Sequence, residues 1–283
     1  AGAQLAVGHF YILNVRAHTL RPLAIGQGLH EHDMTALKRI TPRGLRQGVP
    51  QGKRVLPIYD KAGIDLDFWK RCRHEGAVYF LSLVKANLVF DELPSGAWDR
   101  ADPRNHGVTA DRRVLTKGGH ILRIVGYTDP RTQTAYEFLT NELDLPPGVI
   151  AELYRRRWEI EKVFDQIKNK LHEQKAWGTS LIAKAAQAQL IALTHNLLLL
   201  YEQELAAQHG VRNEAEDQRR AKRIHAEEQA CAQAGQPLSA LVGAARGATQ
   251  RSVKFIRWLR QSLQDHAAEA VAVLRLQALY STL

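Results

Sequence analysis

The chain has 283 residues, 45% of them apolar and 24% charged. These values are close to those of folded soluble proteins, so disorder throughout is excluded and one large domain or two modest ones are expected. Lys and Arg number 39 against 29 Asp and Glu, a formal charge of +10. That surplus favours a polyanionic partner, nucleic acid first, over the plainer reading of a basic soluble protein. Two cysteines, Cys72 and Cys231, cannot build a disulfide framework and point to a reducing compartment. Arg16 and Arg21 interrupt what a leader would keep apolar, and Thr194, His195 and Asn196 interrupt the most apolar stretch. A cytoplasmic protein is therefore expected.

In chain order, residues 5–15 and 21–25 predict short β-leaning runs around a polar turn at His18 and Thr19. Residues 31–39 predict a helix, with Met34, Leu37 and Ile40 at helical spacing. Residues 41–53 hold Pro, Gly and basic residues and read as a loop. The compact apolar run 55–59 reads as a buried strand ending at Asp60, residues 64–71 as a short helix, and 78–84 as a second buried strand. Between 85 and 145, breakers such as Pro94, Gly96, Pro103, Gly118 and Pro130 separate strand-like pieces at 113–116, 120–127 and 134–139, which predicts a β-rich insertion. From Pro146 onward the pattern is helical, with long helices expected at 148–175, 179–208 and 251–280 and a charged, solvated segment at 213–233. Four regions follow: 1–84, 85–145, 146–208 and 209–283. The order of elements argues for an α/β fold with a mixed sheet flanked by helices. No Gly-rich phosphate loop follows a strand, which disfavours a doubly wound nucleotide fold.

The sharpest local feature is Tyr154, Arg157, Glu161 and Lys168. On one continuous helix they fall at about 0°, −60°, −20° and −40°, within one arc of roughly 60°. Leu153, Ile160, Val163, Phe164, Ile167 and Leu171 form an adjacent core stripe, and Arg155, Glu159, Lys162, Gln166 and Lys170 a solvated face. A carboxylate flanked by cations suits a metal and phosphate site. Glu161 can bind a hard divalent cation, Arg157 and Lys168 can pair with phosphates, and Tyr154 can donate to a phosphate oxygen or pack on a sugar. The plainer alternative is a solvated helix with an ordinary Arg157–Glu161 pair.

These residues reproduce the spacing Tyr-x2-Arg-x3-Glu-x6-Lys, and the chain resembles bacterial insertion-sequence transposases of the acidic-triad (DDE) type that carry this signature, the insertion-sequence-four-like group. Residues 139–171, LTNELDLPPGVIAELYRRRWEIEKVFDQIKNKL, resemble the family's run into the signature helix, and 55–69, VLPIYDKAGIDLDFW, resemble the strand that ends in its second catalytic aspartate. The resemblance covers roughly residues 1–205. It implies a ribonuclease-H-like catalytic core whose two Asp and one Glu hold two Mg²⁺ or Mn²⁺ ions for in-line attack on DNA phosphodiesters. On this resemblance Asp60 and Glu161 are the catalytic and metal-binding carboxylates, while Tyr154, Arg157 and Lys168 grip DNA. Residues 85–145 take the place of the insertion subdomain, with Trp98 and Tyr127 as candidates for holding a flipped base. The implied partner is double-stranded DNA, as transposon ends and target, and a homodimer in a synaptic complex is compatible with it.

Asp60 is preferred to Asp65 and Asp67 because it ends the apolar run while the others fall in the following helix. No Asp precedes Asp33, and Asp33 reads as a helix start. An alternative register would place Asn14, a poorer ligand for a hard cation, near the site. The preferred expectation is that the first core strand and its aspartate lie upstream of residue 1. The chain as it stands would then neither cleave nor join DNA. Rival readings are a nuclease with the same core and a non-catalytic DNA-binding remnant. His30 and His32, and Cys72 and His74, lack a second pair at zinc spacing. His195 reads as a core or capping histidine, and residues 248–260, ATQRSVKFIRWLR, mix cations with Phe255 and Trp258 in a way that suits either phosphate contact or packing.

Overall fold

The computed structural model of the chain describes residues 8–26, 31, 33–61, 64–130, 132–165, 167–168 and 176–208, with scattered residues between 218 and 233. It opens on an antiparallel hairpin of β1 (His9–Leu13) and β2 (Leu20–Ile25). Its turn is fixed by Asn14, whose Oδ1 accepts from the N–H groups of Arg16 and Ala17 at 3.0 Å each, and by His18 in the left-handed region at φ 57°. Asn14 is thereby committed to the turn. Pro22 in β2 brings no N–H, and the ladder is irregular opposite it, between Phe10 and Tyr11.

Two short helices follow, α1 (Asp33–Lys38) and α2 (Pro42–Leu45), the second capped by Thr41. Residues 55–59 then run parallel to 78–81, through bridges Val55 to Val78 and Ile58 to Leu81. The link between these parallel segments contains α3 (Leu66–Gly76), the β-α-β connection that parallel pairing demands. Asp65 caps α3 by accepting from the Phe68 N–H at 2.9 Å. The strand run expected at 78–84 contains β3 (Leu81–Leu83). The insertion continues from it as β4 (Phe90–Leu93), β5 (Val108–Thr116), β6 (Ile121–Thr128) and β7 (Ala135–Thr140). These five form an antiparallel sheet in the order β3-β7-β6-β5-β4, with Leu81 opposite Thr140 and Leu83 opposite Phe138. The insertion thus grows directly onto a core strand. One face of this sheet packs with α3 around Trp69, which is fully buried and stacks on Tyr59 at 5.2 Å and against Phe80 at 5.6 Å.

The expected single helix over 148–175 is corrected. The chain forms α4 (Pro147–Arg155) and α5 (Trp158–Asp165), separated by a turn at Arg156 and Arg157; residues 169–175 lie outside the described ones. The cause is a change of packing partner. Ile150, Ala151 and Tyr154 of α4 pack on Phe138 and Val125 of the insertion sheet, whereas Val163 and Ile167 pack with Leu13 and Leu20 of the hairpin and Ile191 of α6 (Leu181–Gln208). One straight rod cannot serve both cores. The break also buries Glu159, only 6% exposed, contrary to the solvated face expected for it. Glu159 Oε2 lies 3.8 Å from His18 Nδ1. α6 is tied to the hairpin by Asn196, whose side-chain amide bonds both the N–H and the C=O of Leu20, at 2.8 and 2.9 Å. His195, fully buried, places Nε2 2.9 Å from the His18 carbonyl oxygen. His195 is thus a structural histidine, in line with the sequence reading. The helix expected at 251–280 lies outside the described residues.

This histidine pair gives the fold an acid sensitivity. Burial holds the His18 imidazole below its ordinary value of 6.5, with Arg156 and then His195 adding to the effect. Burial also lowers His195, against the opposing hydrogen bond to His18. Because both values are depressed, the unfolded chain binds more protons as pH falls below 6.5, so stability is full above 6.5 and declines on acidification. Urea midpoints at pH 7.5 and 5.5 are expected to differ in that sense. His18→Asn, which tolerates the same backbone conformation, should shrink the difference; an unchanged pH dependence in that variant would remove His18 from the account.

Candidate active site

Asp60 follows the parallel run 55–59, which is held by hydrogen bonds from the Tyr59 N–H to the Leu81 carbonyl at 3.1 Å and from the Leu81 N–H to the Pro57 carbonyl at 2.9 Å. The Asp60 carbonyl accepts from the buried Ser82 hydroxyl at 2.8 Å, which pins its backbone while its side chain stays in an exposed residue. The two rival aspartates have structural work: Asp65 caps α3 and pairs with Lys38, and the exposed Asp67 sits 3.3 Å from His120. Asp33 begins α1.

The helix break assembles the other site residues. Tyr154, in the last turn of α4, is 8% exposed, with its ring 4.9 Å from that of Phe138. Arg157, placed in the break, lies over two rings at once, 6.0 Å from Tyr154 and 5.8 Å from Trp158. Its Nη1 donates to Glu161 Oε1 at 3.2 Å, one turn on in α5. Burial pushes the Tyr154 phenol up, the adjacent Arg157 guanidinium pulls it back by charge and by a hydrogen bond, and the Asp60 carboxylate pushes it up again. Tyr154 therefore sits within electrostatic reach of both Asp60 and Arg157, and Arg157 holds Glu161. Lys168 is exposed beyond the end of α5.

Three site neighbours escaped the sequence reading. Ser82 lies in a strand that reads only as apolar. Trp158, 64% exposed beside Arg157, carried a legible signal as a large aromatic next to the signature. Tyr136 on β7, 37% exposed, stacks on Phe138 at 5.9 Å. Trp98 lines a hollow of about 300 Å³ with Asp99, Asp111, Arg113 and Arg123, and Arg100 lies over its ring at 5.0 Å. That hollow also meets Pro146 and Pro147, at the opposite end of α4 from Tyr154. Tyr127 is half-buried with its ring 6.2 Å from Phe138. Cys72 is fully buried, and burial pushes its thiol up to about 11; with His30 and His32 outside the described residues, no zinc set forms among the described ones.

Asp60 and Glu161 offer hard oxygen donors to one divalent cation. Among the described residues no group of three or more His, Cys, Asp or Glu converges to hold one, so the pair fits a metal site only in part. In the Arg157–Glu161 pair the glutamate is 46% and the arginine 20% exposed, so opening it costs on the order of 1 kcal/mol.

Residues 16–197, 182 of the 283, match the model of the family described as transposase DDE domain. The chain belongs to this DDE transposase family, and its α/β architecture is consistent with the ribonuclease-H-like fold of such domains. No curated protein and no solved structure matches it. Among the described residues no helix is long and apolar enough to cross a membrane.

Proposed function

We propose that the chain is the catalytic domain of an insertion-sequence transposase of the insertion-sequence-four-like group, built for metal-dependent cleavage and strand transfer at the ends of a mobile element. What supports this is the family match over residues 16–197, together with the Arg157–Glu161 pair beside Tyr154 and the Asp60 charge felt at that tyrosine. Asp60 and Glu161 would hold Mg²⁺ or Mn²⁺, which when bound supplies charge neutralisation at the scissile phosphate and a more acidic attacking hydroxyl. Arg157, with its guanidinium backed by two rings, binds a phosphate oxygen as a fork once it leaves Glu161. Tyr154, protonated like any tyrosine near neutral pH, donates to a phosphate oxygen. Lys168 adds a point charge along the DNA. The working place is the cytoplasm, on double-stranded DNA as transposon end and target.

A first core strand carrying the remaining aspartate belongs to this reading. What supports it is that two carboxylates balance two divalent ions poorly. Without that strand, residues 1–283 bind DNA and neither cut nor join it; Mg²⁺-dependent cleavage of a cognate element end by these residues contradicts this. With the strand supplied upstream, cleavage followed by joining to target marks a transposase, and cleavage alone marks a nuclease.

DNA affinity should fall steeply with salt. Lys168→Ala is expected to flatten the plot of log affinity against log salt by about 0.9 for one lost duplex contact. An unchanged slope removes Lys168 from the interface.

A further inference from the structure

The basic stretch leading into the run 55–59 has no part in the candidate active site. From Met34 to Tyr59 the chain carries six cations, Lys38, Arg39, Arg43, Arg46, Lys53 and Arg54, and no Asp or Glu. Three of them are matched by carboxylates: Lys38 by Asp65, Arg39 by Glu31, and Arg54 by Glu142 and Asp144. The other three are not. The Arg46 guanidinium donates to two carbonyl oxygens, of Gly76 at 2.7 Å and Pro50 at 3.3 Å, so its charge stays uncompensated. Arg43 and Lys53 are exposed, and their side chains make no hydrogen bond or ion pair among the described residues.

Two neighbours add to this surface. Arg21 on β2 donates to Gln47 Oε1 at 3.2 Å and to the Gly44 carbonyl at 3.1 Å. Arg73 on α3 lies over the Tyr79 ring at 5.3 Å, the ring that Arg54 also covers. Neither Arg21 nor Arg73 meets a carboxylate among the described residues. α2 and the end of α3 touch, since a Cβ at Gly76 would lie 3.0 Å from Pro42 Cβ and 3.5 Å from Arg46 Cδ. Arg21, Arg43, Arg46, Lys53 and Arg73 therefore share one region, opposed by Glu75 in the last turn of α3. The loop 46–53 is open on its outer side: a Cβ at Gly48 or Gly52 would meet nothing within 4 Å.

We propose that α2, the loop 46–53 and the C-terminal end of α3 form a second surface for duplex DNA, which grips phosphates without reading sequence. The partner's identity rests on the transposase reading; the charge does not. Like charges crowded without carboxylates work against the fold, and a polyanion that neutralises them gains by releasing its own counterions. An acidic protein is the rival partner. It would need an apolar or aromatic anchor, and none of the exposed large apolar side chains lies in residues 34–59 or 66–79. A phosphate backbone needs cations and polar donors alone. The position also suits a duplex. Val55, where the loop ends, bridges to Val78, and Asp60 lies about 17 Å further along the extended run. A duplex covers that length in about five base pairs, so the spacing suits one duplex spanning both places.

The test follows binding of the full chain to a fluorescent duplex of arbitrary sequence, by anisotropy across a series of salt concentrations. EDTA keeps binding apart from any metal at Asp60 and Glu161. Arg43→Gln with Lys53→Gln removes two charges whose side chains hold nothing else, so the urea midpoint should stay or rise. The plot of log affinity against log salt is expected to flatten by about 1.8, and affinity near 0.1 M salt to fall about 60-fold, or about eightfold for each contact. Arg43→Lys with Lys53→Arg keeps both charges and should keep the slope. In the unaltered chain, saturating duplex should shield Lys53 from acetylation, read by mass spectrometry. An unchanged slope in the glutamine variant, or a Lys53 that duplex leaves reactive, overturns the proposal. If Lys168→Ala flattens the slope in that case, the active-site reading stands without this surface. If the glutamine variant flattens it and Lys168→Ala does not, this surface stands and Lys168 leaves the site. Shielding of Lys53 by poly-glutamate but not by duplex overturns it in favour of an acidic protein. Absence of any duplex binding by the unaltered chain overturns both.

Discussion

In a chain that cleaves an element end with Mg²⁺, Glu161→Gln is expected to slow that cleavage by about a thousandfold. The substitution keeps shape and removes one charge from a pair of carboxylates that would hold the ion. Metal-borne stabilisation of a transition state is worth several kcal/mol, and about 4 kcal/mol corresponds to a factor near 10³. The fold should not suffer. Glu161 is 46% exposed in its side chain and its partner Arg157 sits in the turn just before α5, a pair worth about 1 kcal/mol. DNA binding should hold or tighten, because a negative charge leaves the surface and Arg157 is released to phosphate. Single-turnover cleavage with melting curves on both proteins checks the prediction. A loss under tenfold with intact folding would show that Glu161 is no ligand.

The second large effect is on stability. Gly148, in the first turn of α4, approaches the 3₁₀ turn Pro103–Asn105 so closely that a Cβ there would lie 1.6 Å from the Arg104 carbonyl oxygen and 2.8 Å from the Asn105 Cα. The Gly148 N–H donates to Asn105 Oδ1 at 3.0 Å. Both obstacles are backbone, so no side-chain rotation relieves them. Gly148→Ala should cost about 3 kcal/mol, the upper end for overpacking, measured as a fall in the urea midpoint. Because α4 delivers Tyr154 to the site, the part that remains folded should also bind DNA more weakly. A midpoint unchanged within about 0.5 kcal/mol would mean that α4 and the insertion do not meet as described.

The parts of the fold legible in the sequence were those whose surroundings stay constant along an element. The run 78–84 was readable as apolar and contains β3, and α3 was readable from the helix expected at 64–71; the run 55–59 makes only two isolated parallel bridges, and Asp65, read inside the helix, caps it. β4 escaped because Phe90–Leu93 is an exposed edge whose two central residues, Asp91 and Glu92, face water. The broken signature helix escaped for a deeper reason. Periodicity records which side of a helix is apolar, not that Tyr154 and Val163 answer to different cores. A continuous wheel put Glu159 in solvent, whereas the break turns it toward His18. The spacing of Tyr154, Arg157, Glu161 and Lys168 and the position of Asp60 nominate candidate residues, but only the structure supplies the Arg157 stack and the Ser82 anchor.

The most direct measurement of whether Asp60 and Glu161 share one cation is iron-directed cleavage of the polypeptide. Fe²⁺ takes the place of Mg²⁺, and ascorbate with peroxide cuts backbone close to the bound ion. The account predicts two sets of fragments, with ends near residues 60 and 161, both suppressed by excess Mg²⁺ and both lost in Asp60→Asn. Cuts at one position alone, or cuts that Mg²⁺ leaves unchanged, would contradict it.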